Sequence, residues 1–279
     1  MKAEIFFQVK QSIKKLLNID LNYYKEDQVK RRLDSWLIRN NMTDWTLYFD
    51  KISNDAEEKA RLRDYLTINV TEFFRDTQHW KTLEENVLPM LIKQAGERKS
   101  DLKIWSAGCS IGVEAYTLAM AMEKVAPKSR YVIFASDVDR GALQKAKARG
   151  PYIEEEVRNL LPEQREKYLE KIAEKYYFKE QFTHFIRFFE QDLLIDHFSG
   201  GFDLIVCRNV VIYFTREAKD LLYHKFWNAL RPGGILFVGG TELLPRPSEY
   251  GFVSNWTSFY TKVLTNSSPA VLPKEEVKA

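Results

Sequence analysis

Over the first 90 or so residues, apolar side chains recur every three or four positions. Ile5, Phe6, Val9, Ile13, Leu16 and Leu17 mark one amphipathic helix, and Val29, Leu33, Trp36 and Leu37 mark another. This is the spacing of one face of a 3.6-residue repeat. Nothing strand-like interrupts residues 1–90, which read as a separate all-α N-terminal domain ending in a linking helix, Trp80–Gln94. From Leu102 the rhythm changes to short apolar runs alternating with helices. That alternation predicts an α/β domain over residues 91–279. Its first unit is a strand at Leu102–Trp105, a small-residue turn holding Gly108 and Gly112, and a helix carrying Ala115, Leu118, Ala119 and Met122 on one face. A second strand, Tyr131–Ala135, runs into Ser136-Asp137, and a helix over Arg140–Ala148 stops at Gly150-Pro151.

Residues 151–188 break this rhythm. A charged helix, Pro162–Ala173, precedes two alternating stretches, Lys175–Phe178 and Thr183–Phe189. Alternation predicts strands with one face in water, hence an inserted antiparallel hairpin. The insertion reads equally as a partner-recognition element or a structural flap. The α/β rhythm then resumes with Phe202–Cys207, Val210–Phe214, a helix over Arg216–Leu230 and a strand at Ile235–Gly240. A last pair near Phe252-Val253 and Ser258–Val263 closes the sheet, and Thr265–Ala279 has the composition of a frayed terminus.

The turn between the first strand and helix is the first candidate for chemistry. Gly108 and Gly112 permit close backbone approach to a ligand, and the helix start offers unpaired N–H groups. An acid at the tip of the second strand, Asp137, suits a ribose diol because a carboxylate accepts both hydroxyl hydrogens. The alternative is that Asp137 caps the next helix. Gly108-x-x-x-Gly112 is not the G-x-G-x-x-G dinucleotide fingerprint, so no pyrophosphate cradle is expected. A phosphate-free nucleoside, S-adenosylmethionine (SAM), fits instead. With 42 basic and 39 acidic residues the chain is nearly balanced, which argues against a nucleic-acid binder. Cys109 and Cys207 suggest buried packing rather than a metal site or disulfide, and no metal is expected. No signal peptide or long apolar run is evident, so a cytoplasmic location is expected. The Lys30-Arg31-Arg32 cluster reads as a solvated helix face or as a dock for an acidic partner. Arg75, beside Phe73 and Phe74, reads as a domain-junction residue or as a roof over the ligand site.

Taken in order, Asn69-Val-Thr-Glu-Phe-Phe-Arg75, Ile104-Trp-Ser-Ala-Gly-Cys-Ser-x-Gly-x-Glu114, Ala135-Ser-Asp-Val-Asp139, Cys207-Arg-Asn-Val-x-Ile-Tyr-Phe214, Leu230-x-Pro-Gly-Gly234 and Gly239-x-Thr-Glu242 support a stronger statement. The chain resembles the CheR-type chemoreceptor glutamate methyltransferases over residues 5–263. The resemblance implies a Rossmann-like SAM-dependent methyltransferase domain with a small antiparallel β insertion, preceded by an all-α domain that reads receptor helices. It implies methyl esterification of glutamates on methyl-accepting chemotaxis receptors, with S-adenosylhomocysteine as product. It implies that Asn69, Thr71 and Arg75 cover the cofactor, that Glu114 lies against its methionine end and that Asp137 holds its ribose. Asp192 and Leu193 then lie near the adenine, with Arg208, Asn209 and Tyr213 around the reaction centre. Arg75 and Tyr213 are the candidates for steering the substrate carboxylate, and Lys30, Arg31 and Arg32 for docking the receptor.

Three departures from the family's pattern are visible. Ile111, Val113 and Ala115 stand where the family usually has Thr, Glu and Pro, an expected loss of two polar groups beside the cofactor. Asp192 stands for the usual Asn, a change an acceptor role tolerates. The segment Glu174–Thr183 lacks a small Gly-containing turn, which predicts recognition without a receptor tether peptide. Competing readings are a SAM-binding regulator or adaptor without turnover, a methyltransferase for nucleic acids or small molecules, and a nicotinamide dehydrogenase. The near-neutral charge, the absence of an Asn-Pro-Pro-Tyr-type motif and the missing pyrophosphate turn disfavour the last two.

Overall fold

The computed structural model describes residues 1–67 and 69–264. The tail from Thr265 onward, expected to fray, lies outside the described residues, as does Ile68 in the Leu66–Asp76 stretch. Four helices open the chain: α1 (Ala3–Leu17), α2 (Glu26–Arg39), α3 (Trp45–Ile52) and α4 (Ala56–Leu66). Most periodic positions of α1 and α2 face inward and bury Phe6, Val9, Ile13 and Leu17 against Val29, Leu33, Trp36 and Leu37, while Ile5, expected on the same face, is exposed and Leu16 only half-buried. Asp44 and Asp55 cap α3 and α4 by accepting N–H groups of their first turns, the usual service of a short acidic side chain there. Tyr48, fully buried, is held by accepting from Trp36 Nε1 (2.7 Å) and donating to Glu58 Oε1 (3.0 Å).

Residues 77–97 form α5 (Thr77–Thr82), a wide helical turn at Leu83–Val87, and α6 (Leu88–Glu97). Trp80, Leu83, Val87, Leu88 and Leu91 pack into the core of the α/β body. That body follows as β1 (Leu102–Ala107), α7 (Val113–Val125), β2 (Tyr131–Asp137), α8 (Arg140–Lys147), α9 (Glu154–Val157) and α10 (Pro162–Tyr168). Then come β3 (Leu169–Ile172), β4 (Lys175–Phe178), β5 (Ile186–Glu190), β6 (Phe202–Cys207), α11 (Arg216–Ala229), β7 (Leu230–Val238), β8 (Phe252–Trp256) and β9 (Phe259–Lys262). The seven-stranded sheet runs β5-β2-β1-β6-β7-β9-β8, parallel from β5 to β7 and antiparallel at β9 and β8. β6 is buried at every position, as a central parallel strand covered on both faces must be. Its one acid, Asp203, is matched by Arg98 and by the Lys103 N–H (2.8 Å).

The inserted hairpin exists, but one of its strands differs from the expectation. Lys175–Phe178 pairs with Leu169–Ile172, which the sequence placed at the end of a helix. The stretch around Thr183–Phe189 instead supplies β5, the parallel edge strand beside β2. An edge strand is covered less completely than a central one: β5 buries Ile186, half-buries Phe188 and Phe189 and exposes Arg187 and Glu190, a mixed run that a hairpin strand would also show. Periodicity alone cannot tell the two apart.

Candidate active site

The order of the sheet reverses at β1, with β2 on one side and β6 on the other. A crevice opens at such a point, beyond the C-terminal strand ends. Here it is roofed by the N-terminal domain, and all eleven residues singled out above for cofactor or catalysis line it.

The β1–α7 turn forms the floor. Gly108 has φ +83° and a Cβ there would meet Val210 at 2.6 Å; Gly112 has φ +86° and no room beside Ala146. Both therefore require glycine. Ile111, Val113 and Ala115 are buried in the core. The three departures in this turn thus do not face the crevice, contrary to expectation. The turn presents Gly108, Cys109, Ser110 and Glu114 to it instead. Cys109 and Cys207 are free, buried thiols, with burial raising both well above their usual range.

Asp137 ends β2. Its two oxygens accept the Ser110 N–H (2.7 Å) and the Asp139 N–H (2.9 Å), and it still lines the crevice. Burial pushes its pKa up to about 6, against the pull of those N–H groups. The cap of α8 is not Asp137 but the buried Asp139, which accepts the Ala142 N–H (3.0 Å). Its other oxygen accepts from Thr67 Oγ1 (2.6 Å) and Asn69 Nδ2 (2.7 Å), while Ser110 donates to Asn69 Oδ1 (2.7 Å). Asn69 thus ties the interdomain strand to both loops of the floor.

On the opposite side, Glu114 accepts from Ser106 Oγ (2.7 Å) and lies 3.7 Å from Arg208 Nη1. Burial raises its pKa, and Arg208 and Ser106 oppose the rise. The buried Arg208 guanidinium also donates to the Arg75 carbonyl and to Asp76 (both 2.8 Å), and stacks on Trp80 and Phe237. Arg75 donates to the Val70 carbonyl (3.0 Å) and stays half-buried at the rim beside Thr71. Asn209 holds a left-handed φ of +60°. Its N–H, with those of Ile212 and Gly239, donates to the buried Glu242. Glu242 fixes the loop carrying Asn209 and Tyr213, a role the sequence motif containing it did not disclose. Burial raises the Tyr213 hydroxyl, while Arg32 and Arg75 pull it back. Asp192 Oδ1 accepts the N–H groups of Leu194 (2.8 Å) and Ile195 (3.3 Å), closing the turn after β5 that presents Leu193.

The N-terminal domain supplies the remaining wall: Tyr24, Gln28 and Arg32 line the crevice. It docks through an antiparallel bridge of Tyr24 with Phe214, framed by Lys25 N–H to Tyr213 O (2.9 Å) and Thr215 N–H to Tyr23 O (2.8 Å). Burial near Asp192 and Asp137 pushes the Tyr24 hydroxyl well above its usual range. The expected basic cluster does not form one face. Lys30 pairs with Glu26 (2.5 Å), Arg31 is exposed, and Arg32 turns inward to donate to the Tyr65 carbonyl and stack on its ring. Successive helical residues point about 100° apart, so three in a row cannot share a face.

Five carboxylates, Asp20, Glu72, Glu114, Asp137 and Asp192, line the crevice. They would repel a pyrophosphate and suit a nucleoside with a cationic tail. Gln28 Oε1, Arg32 Nε, Gln191 Oε1 and Arg208 Nε are buried without a hydrogen-bond partner, and all four residues face this crevice. Buried polar atoms are normally paired, so this set fits a site built for a polar ligand. Among the described residues there is no cluster able to hold a metal ion, and no helix is long and apolar enough to cross a membrane.

The chain is similar to known proteins along most of its length. Residues 4–67 match the CheR methyltransferase all-alpha domain, and residues 69–258 the CheR methyltransferase SAM binding domain. A chemotaxis protein methyltransferase of Listeria monocytogenes is 38% identical over 90% of this chain and 94% of its own. The protein of that name in Escherichia coli is 32% identical over 85% of this chain and 83% of its own. Chemotaxis protein methyltransferase 1 of Pseudomonas aeruginosa is 37% identical over 68% of this chain and 72% of its own.

Proposed function

The chain belongs to the CheR methyltransferase family, and from that premise we propose that it methyl-esterifies glutamate side chains on the cytoplasmic helices of chemotaxis receptors. SAM is the cofactor and S-adenosylhomocysteine the product. The observation that carries the reading is the crevice itself, with Asp137 and Glu114 beyond the C-terminal strand ends and Arg32 and Arg75 near Tyr213.

Bound SAM supplies a methyl group already activated on a sulfonium. The chain's own residues have four tasks. Asp137 accepts from the ribose hydroxyls. Glu114, held by Ser106 and Arg208, faces the cationic methionine end. Leu193, in the turn fixed by Asp192, supports the base. Asn69 and Thr71 cover the cofactor from the interdomain strand. A receptor glutamate, with an ordinary pKa of about 4.3, is already a carboxylate at neutral pH, so no general base is required. Arg75 and Tyr213 orient that carboxylate, and orientation supplies up to about 7–11 kcal/mol in well-aligned systems. Charge is neutralised as the methyl moves, so too firm a grip by Arg75 would favour the ground state. Its role is to position.

Receptor helices dock on the N-terminal domain, with Lys30 and Arg31 outside and Arg32 at the crevice wall. The test is transfer of labelled methyl from SAM to receptor-containing membranes, followed by base. Label released as methanol establishes a carboxyl ester; SAM binding with no transfer would favour the regulator reading.

A further inference from the structure

We propose that Asn159, in the insertion, is a positioning residue for methyl transfer, acting through Arg75 by holding the backbone of the strand that presents it. The inference rests on the reading that Arg75 orients the substrate carboxylate.

The strand that roofs the crevice carries a constraint of its own. Phe74 and Asp76, on either side of Arg75, hold left-handed φ values of +49° and +60°. Neither is glycine, and a bulky residue adopts this conformation only at a cost that surrounding contacts must offset. The Arg75 guanidinium donates back to the Val70 carbonyl (3.0 Å), five residues earlier. Its place at the rim therefore depends on the backbone path from Val70 to Asp76.

That path is gripped from two sides. The α/β core holds its end, where Trp80 Nε1 and Arg208 Nη2 both donate to the Arg75 carbonyl (2.9 and 2.8 Å). The insertion holds its middle. The Phe73 N–H donates to the Glu156 carbonyl (2.9 Å), and Asn159 Nδ2 donates to the Phe73 carbonyl (3.1 Å). The buried Phe73 ring meets Tyr152 edge-on and stacks on Phe178. The gripping segment is itself fixed, because Arg165 donates to the carbonyls of Val157 (3.0 Å) and Leu160 (3.3 Å), and both those side chains are buried. The Arg158–Glu72 ion pair (2.6 Å) adds little, since Arg158 is exposed.

Asn159 is half-buried, and its amide can be removed without opening the core. A carbonyl only accepts, so the loss leaves the Phe73 oxygen unpaired and the strained turn less firmly held. Arg75 then loses its place at the rim, while Asp137 and Glu114, carried by the sheet and by α7, keep theirs.

Transfer of labelled methyl from SAM to receptor-containing membranes gives kcat, and calorimetry on the full chain gives the dissociation constant of S-adenosylhomocysteine. Asn159→Leu and Asn159→Asp are near the size of asparagine and cannot donate at neutral pH. In both, kcat is expected to fall about tenfold, with the dissociation constant held within about threefold. On top of Arg75→Ala, the same substitutions should cost no more than about twofold further, because the two residues act as one unit. An unchanged kcat, a loss that repeats in full on top of Arg75→Ala, or cofactor binding that falls as far as kcat shows Asn159 to be structural and overturns the proposal. The aspartate variant keeps the shape, so a folding defect in the leucine variant does not decide the outcome. If Arg75→Ala alone leaves kcat unchanged, the reading of Arg75 fails. If Arg75→Ala lowers kcat and the Asn159 variants do not, only the role of Asn159 falls.

Discussion

The two walls of the crevice differ in how they are anchored to the molecule. On the α/β wall, the charged groups are held by the strands and loops around them: Glu242 by three N–H groups, Asp137 by two, Arg208 by a carbonyl and an acid, and Glu114 by Ser106 and Arg208. Their strands and loops are fixed by the sheet, so these groups are in place before a ligand arrives. Each wall keeps two buried polar atoms without a partner, in Gln191 and Arg208 on the α/β side and in Gln28 and Arg32 on the helical side, so the walls differ in their attachment. The helical wall reaches the rest of the molecule through two narrow seams, the Tyr24–Phe214 bridge and the bonds of Thr67 and Asn69 to Asp139. The contrast teaches a division of labour. The wall fixed by the sheet is suited to a small cofactor of fixed shape, and the narrowly attached helical wall to a macromolecular substrate.

The severest trial of this division is Arg75→Ala. Loss of a positioned donor at the reacting carboxylate is expected to lower kcat about 100-fold or more, with SAM affinity held within a few-fold. A collapse of SAM binding in calorimetry would move Arg75 to the cofactor. Next is Asp137→Ala, expected to weaken SAM about 10- to 100-fold, the worth of hydrogen bonds to a charged acceptor. An unchanged dissociation constant would remove the ribose from that strand end. On the other wall, Arg32→Ala is expected to raise KM for receptor membranes about tenfold, an ion-pair-sized effect at a part-buried site, and to leave SAM affinity alone. Equal losses of both would erase the distinction between the walls.

The pH dependence sharpens the point, because Asp137 gives two effects of opposite sign. Its pKa of about 6 in the free fold lies above the unfolded value. Between about pH 4 and 6 the folded state therefore holds the extra proton. This group's unfavourable contribution to stability is relieved as pH falls through that window. The ionised form accepts both ribose hydroxyls, so the SAM dissociation constant should rise toward tenfold per unit below about pH 6 and stay level above pH 7. Asp137→Asn should flatten the profile; a slope that persists assigns it to another group. The smallest effect expected is that of Thr67→Val, which loosens one seam. One neutral-to-charged hydrogen bond corresponds to a few-fold rise in KM for SAM. A change in kcat alone would show that the seam does not govern cofactor retention.

Much of this was legible in the chain. The strand–turn–helix at Leu102–Val125, the acid at the end of β2 and the buried run of β6 follow from local periodicity and from glycines that no other residue can replace. The packing stripe of α2 was equally plain in Val29, Leu33, Trp36 and Leu37. Local rules failed where two partners satisfy the same pattern. The alternation near Phe185–Phe189 suits a hairpin or a sheet edge, and Leu169–Ile172 carries no strand signal until Lys175–Phe178 pairs with it.

Local pattern settles most of the elements, the glycine turn and the acid at the end of β2, because each depends on neighbours within a few residues. Only the tertiary structure decided that Ile111, Val113 and Ala115 face the core, and that Arg32 turns into the crevice while Arg31 faces water. Those outcomes depend on what packs against each side chain from distant parts of the chain. Tyr24 meets Phe214 across 190 positions of the chain, and no window of local pattern contains that contact.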